Sequence, residues 1–142
     1  MNINEIQDQI IEEFSGLEDG FEKYKHIVSL GRSLETLSTK FKNEENSISG
    51  CQSNVWIRAE LKKGKVYFTA DSEALITKGI IALLLRVVNN QSPEEILNSE
   101  LYFIDRIGLT SSLSPARGNG LHSVIKRIYN FAEINLKNNK LN

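Results

Sequence analysis

The 142-residue chain has one cysteine, Cys51, together with two histidines and two prolines. A lone thiol cannot close an intramolecular disulfide, and it cannot run the two-thiol cycle of a C-x-x-C oxidoreductase. His26, Cys51 and His122 are scattered, without the paired spacings of zinc ligands. Each histidine reads as a surface or half-buried helix residue. Long apolar runs are also missing. The longest, Ile80 to Leu85, lies between Lys78 and Arg86, far short of the roughly 20 residues that cross a bilayer. Neither sign of charge dominates: 17 Lys and Arg face 18 Asp and Glu, for a formal net charge of -1. That balance gives no general attraction to nucleic acid or to acidic lipid. The stretch from Met1 to Phe14 has no basic region and carries acidic residues within its apolar pattern, so no signal peptide is expected. With its free thiol, the chain is expected in the cytoplasm. Arg117-Gly118-Asn119-Gly120 lacks the glycine spacing of a dinucleotide loop.

What is present reads as one globular domain over residues 1–142, with its core at about 5–135 and a frayed tail from Lys137. Ile3, Ile6, Ile10, Phe14 and Leu17 recur at helical spacing. After Asp19-Gly20, a second helix uses Phe21, Tyr24, Ile27, Val28 and Leu30 as its apolar face, with Gly31 placed to end it. Arg32 to Ser49 reads as an irregular crossing segment. Val55, Ile57, Ala59 and Leu61 alternate with Trp56, Arg58 and Glu60, which predicts a strand. Lys62-Lys63-Gly64-Lys65 reads as a hairpin turn and Val66 to Ala70 as the second strand. Asp71 or Ser72 is placed to cap a buried central helix over about Glu73 to Val88. Ser92-Pro93-Glu94-Glu95 has the pattern of a capping box with proline at the first helical position. Leu101 to Ile107 reads as a third strand or an extended segment. Ser114-Pro115 opens a last helix with Leu121, Val124, Ile125, Ile128 and Phe131 on its apolar face. Helices, then a small antiparallel sheet, then helices make an α+β fold.

Cys51 is the candidate for chemistry. Cysteines are usually buried and inert, but this one stands between Gly50 and Gln52-Ser53, a polar, turn-prone setting just before a strand. A loop held by a rigid scaffold is a common place for a reactive group. A single accessible thiolate suits a persulfide carrier, because a second thiol would expel the carried sulfur by forming a disulfide. Arg117 reads either as a positive charge near Cys51, as a contact for a partner's carboxylate, or as a solvated arginine in the first helical turn. Trp56 reads first as a packing residue under a helix, and second as a partner-binding residue, since tryptophan is enriched at binding hot spots.

Several segments together resemble the SufE/CsdE sulfur acceptors. Gly50-Cys51-Gln52-Ser53-Asn54-Val55-Trp56 is similar to that family's G-C-x-S-x-V-W segment. Asp71-Ser72-Glu73-Ala74-Leu75-Ile76-Thr77-Lys78-Gly79 resembles its D-S-x-A-x-I-x-x-G helix start. Leu113-Ser114-Pro115-Ala116-Arg117 with Asn119-Gly120-Leu121, and Leu30-Gly31-Arg32, match further family segments, all in order over roughly residues 5 to 135. Asp19-Gly20 stands where many relatives have Asp-Trp.

The resemblance implies a single α+β domain shared with IscU-type scaffolds, without the several cysteines a cluster scaffold needs. It implies that Cys51 accepts persulfide sulfur from a pyridoxal-phosphate-dependent cysteine desulfurase of the SufS type and stimulates that enzyme. Gly50, Gln52 and Ser53 would shape the acceptor loop, Asp71 would support the adjacent surface, and Arg117 would help at the desulfurase contact or near the acceptor loop. No cofactor or metal is expected on this chain, since the pyridoxal phosphate belongs to the desulfurase. A scaffold complex containing SufB is the implied downstream acceptor. The alternative is a desulfurase-binding regulatory module that carries no sulfur. An independent cysteine hydrolase lacks a base or oxyanion motif beside Cys51.

Overall fold

The computed structural model describes residues 1–17, 19–35, 37–48, 54–109 and 115–141, with backbone alone for 115–119 and 139–141. The described elements are α1 (Ile3–Ser15), α2 (Gly20–Arg32), a 3-10 turn at Thr39–Phe41, β1 (Val55–Lys62), β2 (Lys65–Ser72), α3 (Leu75–Val88), α4 (Pro93–Leu97), α5 (Phe103–Arg106) and α6 (Pro115–Leu141). The architecture is α+β, as expected.

Local chemistry sets most element boundaries. Asn2 and Glu5 form a reciprocal capping box at the start of α1, and Asp19 accepts the Glu22 N–H at the start of α2. Ser92 Oγ accepts the Glu95 N–H at 3.2 Å, with Pro93 in the first turn of α4. Lys63 and Gly64 have φ of 52° and 76°, the left-handed pair that a two-residue type I′ hairpin turn requires. The two strands pair antiparallel from Val55 opposite Ser72 to Lys62 opposite Lys65. Val55, Ile57, Val66, Phe68 and Ala70 turn to the core.

A lone hairpin is marginal, and side chains and loops complete this one. The Asn89 side chain bonds both backbone groups of Phe68, accepting its N–H at 2.7 Å and donating to its carbonyl at 3.0 Å. Residues 46–48 add a short ladder to the start of β1: Ile57 N–H donates to Asn46 O and Ile48 N–H to Val55 O, each at 2.9 Å. Both outer edges are therefore partly occupied.

α3 is the buried centre, packed against α1, α2, β2 and α6. Its contact with α2 depends on two glycines. A Cβ on Gly31 would meet the Gly79 nitrogen at 2.8 Å, and one on Gly79 would meet Ile27 Cγ2 at 2.6 Å. α6 buries Val124, Ile128 and Ala132 along one face.

Several expectations are corrected. Gly31 does not end α2; it lies within the helix and lets α3 approach. Phe21 and Tyr24 are exposed, at 68% and 49%, because α2 buries the stripe containing Ile27, Val28 and Gly31 instead. Asp71 does not cap α3; Ala74 holds the N-cap position, and Ser72 Oγ accepts the Ala74 N–H. Leu101 to Ile107 holds the short helix α5, not a strand: Phe103, Ile104 and Ile107 share a buried helical face, and Gln7 Oε1 accepts the Phe103 N–H.

Candidate functional site

Gly50, Cys51, Gln52 and Ser53 lie outside the described residues, and Arg117 is described by its backbone alone, in the first turn of α6. The frame that carries the cysteine loop is described in full. The chain arrives at Ile48, a buried residue bonded to Val55, and leaves at Asn54. Asn54 is fastened in turn. Its carbonyl accepts the Glu73 N–H at 3.3 Å and its side-chain amide donates to Glu73 Oε1 at 3.2 Å. In sequence, Cys51 is three residues from each of these ends.

Asp71 lies at the foot of this loop. It pairs across the sheet with Trp56, next to the pair of Ser72 with Val55. It is buried, and its carboxylate meets Lys42 Nζ at 2.8 Å and Lys78 Nζ at 3.3 Å. The Ser72 N–H also donates to Asp71 Oδ1, at 2.8 Å. Burial works to raise the Asp71 pKa, but the Lys42 hydrogen bond, the Ser72 N–H and Lys78 outweigh it and hold the carboxyl below its usual value. Asp71 is therefore ionised at neutral pH. The Lys42 ammonium stands 5.4 Å from the centroid of the half-buried Trp56 ring, a cation–π separation.

A further charged group reaches the loop entry from the far side. Arg127, on α6, donates to the Ser47 carbonyl at 2.9 Å. Lys42 and Arg127 were not legible as site residues, because their partner groups are distant in sequence and leave no local pattern; Lys78 is only seven residues from Asp71, but no sequence period pairs the end of a strand with the first turn of the next helix. Asp71 was legible through its motif, although as a support for the surface and not as the centre of an ion cluster.

The histidines fall where expected. His26 is half-buried, bonded to Glu13 Oε1 at 2.7 Å and edge-on to Phe14, while His122 is exposed. Among the described residues, no group of three or more His, Cys, Asp or Glu side chains is placed to hold a metal ion. Among them also, no helix is long and apolar enough to cross a membrane.

Comparison with known proteins joins this frame to a family. A sequence profile for the SufE family, described as an Fe-S metabolism associated domain, matches residues 8–132. An uncharacterized SufE-like protein of Synechocystis is 36% identical over 118 residues, covering 83% of this chain and 74% of its own. SufE-like protein 1, chloroplastic/mitochondrial, of Arabidopsis thaliana is 36% identical over 119 residues, and the match spans 83% of this chain and 32% of the plant protein. The fold is similar to the solution structure of a hypothetical protein from Thermus thermophilus, with a TM-score of 0.76, 21% identity, and coverage of 93% and 96% of the two chains. The matched span takes in the cysteine segment, the Asp71 foot and the Gly31–Gly79 helix crossing, and the chain belongs to the SufE family of iron–sulfur metabolism.

Proposed function

We propose that the protein accepts sulfur from a cysteine desulfurase on Cys51 and passes it on for iron–sulfur cluster assembly. The observation that carries this reading is that the chain's only cysteine falls inside the matched SufE span. The chemistry balances without an external oxidant. The Cys51 thiolate attacks the outer sulfur of the desulfurase's cysteine persulfide, the S–S bond of the donor breaks, and the donor cysteine leaves as a thiolate. Cys51 then carries the persulfide, whose outer sulfur a later thiol attacks in the same way.

Removal of the enzyme-bound persulfide speeds desulfurase turnover, so acceptance and stimulation are one event. Gly50, Gln52 and Ser53 shape the acceptor loop, and Arg117 contributes to the contact with the desulfurase. The pyridoxal phosphate stays with the desulfurase, and a scaffold complex containing SufB is the receiver.

Intact mass after incubation with a cysteine desulfurase and free cysteine tests the reading. The expected result is a gain of about one or more sulfur atoms that reductant removes, absent in Cys51→Ser. No gain with a competent desulfurase overturns it. Full stimulation by Cys51→Ser would instead establish a regulatory module that carries no sulfur.

A further inference from the structure

Residues 38–47 cross the outer face of the hairpin, opposite the core-facing side chains, between the buried residues Leu37 and Ile48. None of the residues in between is itself buried. The segment is tied to itself by short-range bonds. In its 3-10 turn the Phe41 N–H donates to Ser38 O and the Lys42 N–H to Thr39 O. The Asn43 side chain donates to Lys40 O and accepts the Asn46 N–H, and the Asn46 side chain donates to Phe41 O. Such bonds make a compact surface loop that can move in one piece.

Polar contacts hold this loop down. Lys42 pairs with Asp71 at 2.8 Å and stands over the half-buried Trp56, and the Arg58 guanidinium lies 3.9 Å from the centroid of the Phe41 ring. Asn46 O accepts the Ile57 N–H, and Ser47 O accepts from Arg127. The groups beneath keep partners when these contacts open. Asp71 retains Lys78 at 3.3 Å and the Ser72 N–H, while Arg58 retains Glu60. Lys42, Arg127 and the Ile57 N–H pass to water. No buried charge is stranded, which is what makes breaking an ion pair costly. The space beneath is not filled either: a cavity of about 410 Å³ has Ser38 and Phe41 on one side and Arg58, Tyr67 and Thr69 on the other.

We infer that residues 38–47 form a strap that lifts from the sheet as one unit, hinged at Leu37 and Ile48, while the hairpin and the helical core stay folded. Lifting uncovers Trp56 and opens the cavity floor, so the outer sheet face has a covered and an uncovered state. The inference goes beyond sulfur acceptance and holds whether or not Cys51 carries sulfur.

The experiment is hydrogen exchange of the whole protein by NMR, amide by amide, in rising urea below the unfolding transition. Ile57 and Arg58 are neighbours on β1 with different partners. Ile57 turns its N–H outward to Asn46, which leaves Arg58, paired with Thr69, to the ladder between the strands. The expected result is an Ile57 amide that exchanges at least about tenfold faster than Arg58, at a rate that urea barely alters, while Arg58 and the amides of α3 speed up with urea. Lys42→Met removes the ion pair and the contact with Trp56, and Phe41→Leu removes the stack on Arg58. Neither residue touches the Ile57 amide, yet each variant should raise its rate about three- to tenfold. An Ile57 rate that tracks Arg58 through the whole urea series overturns the inference. Fast exchange at Ile57 that neither variant moves is the fraying of one bond, and overturns it too. None of these readings depends on a sulfur gain, so the two proposals fail separately.

Discussion

Gly79 packs directly on the backbone of Ile27: a methyl group in place of its hydrogen would lie 2.7 Å from the Ile27 carbonyl carbon and closer still to the carbonyl oxygen. Helix propensity and packing therefore make opposite predictions for Gly79→Ala. Propensity alone would stabilise α3 by about 1 kcal/mol. The clash is with backbone, which cannot swing aside, and it should prevail, with a net loss of roughly 1–3 kcal/mol. Denaturant unfolding of the variant checks the sign. A raised midpoint would mean that α2 and α3 separate at little cost.

Gln7 is fully buried and bonds two distant backbone groups, donating from Nε2 to the Glu100 carbonyl at 2.9 Å and accepting the Phe103 N–H on Oε1 at 3.1 Å, while Nε2 also donates to Asn4 Oδ1 at 3.3 Å. Gln7→Met keeps the volume and strands both backbone groups. The expected loss is roughly 2–4 kcal/mol, twice the cost of one buried unsatisfied group. Gln7→Glu keeps the acceptor but turns a carboxylate toward the Glu100 carbonyl. That variant should be less destabilised in acid, where the new carboxyl is protonated, than at pH 7.

Asp71 makes stability depend on pH with a definite sign. Its folded pKa is depressed, so its contribution is complete above the unfolded value of about 4 and is lost as pH falls through the folded value. The parent should therefore exceed Asp71→Asn in unfolding free energy at pH 6 to 7, and the gap should close below about pH 4. The check is a series of urea midpoints from pH 7 to 3. A gap that stays constant would mean that Asp71 contributes through its shape and not its charge.

Arg117→Ala separates partner contact from intrinsic thiol chemistry. In the acceptor reading, stimulation of the desulfurase falls while the alkylation profile of free Cys51 stays as in the parent. A changed profile in the free protein would place Arg117's effect inside the acceptor loop.

Much of the fold was legible because long elements carry a period. Ile3, Ile10 and Phe14 are buried along α1, and the strand alternation at Val55 and Ile57 gives the buried face of β1. The hairpin turn followed from Lys63-Gly64. What escaped the reading is contact that side chains make in place of backbone. Gln7 secures the start of α5, and without that partner the run with Tyr102, Phe103 and Ile104 carries strand-like residue types. The helical spacing that places Phe21 and Tyr24 on an apolar face marks a stripe but not its partner; α3 lies against Gly31, and Phe21 and Tyr24 are left exposed. At the site, Cys51 stood out as the one thiol in a recognisable segment, and Asp71 through its motif. The ammonium groups around Asp71 arrive from the crossing segment and from α3, and folding alone brings them together.

The two-residue turn at Lys63-Gly64 stands about 23 Å along the strands from the pair of Val55 with Ser72. Side chains alternate faces along a strand, so a shift of one residue in pairing would move Asp71 out of line with Trp56 and reverse the faces of β2. The hairpin is therefore a ruler: its far end sets the alignment at the loop. Inserting a residue into the turn would disturb the cysteine end of the molecule without touching a single group there.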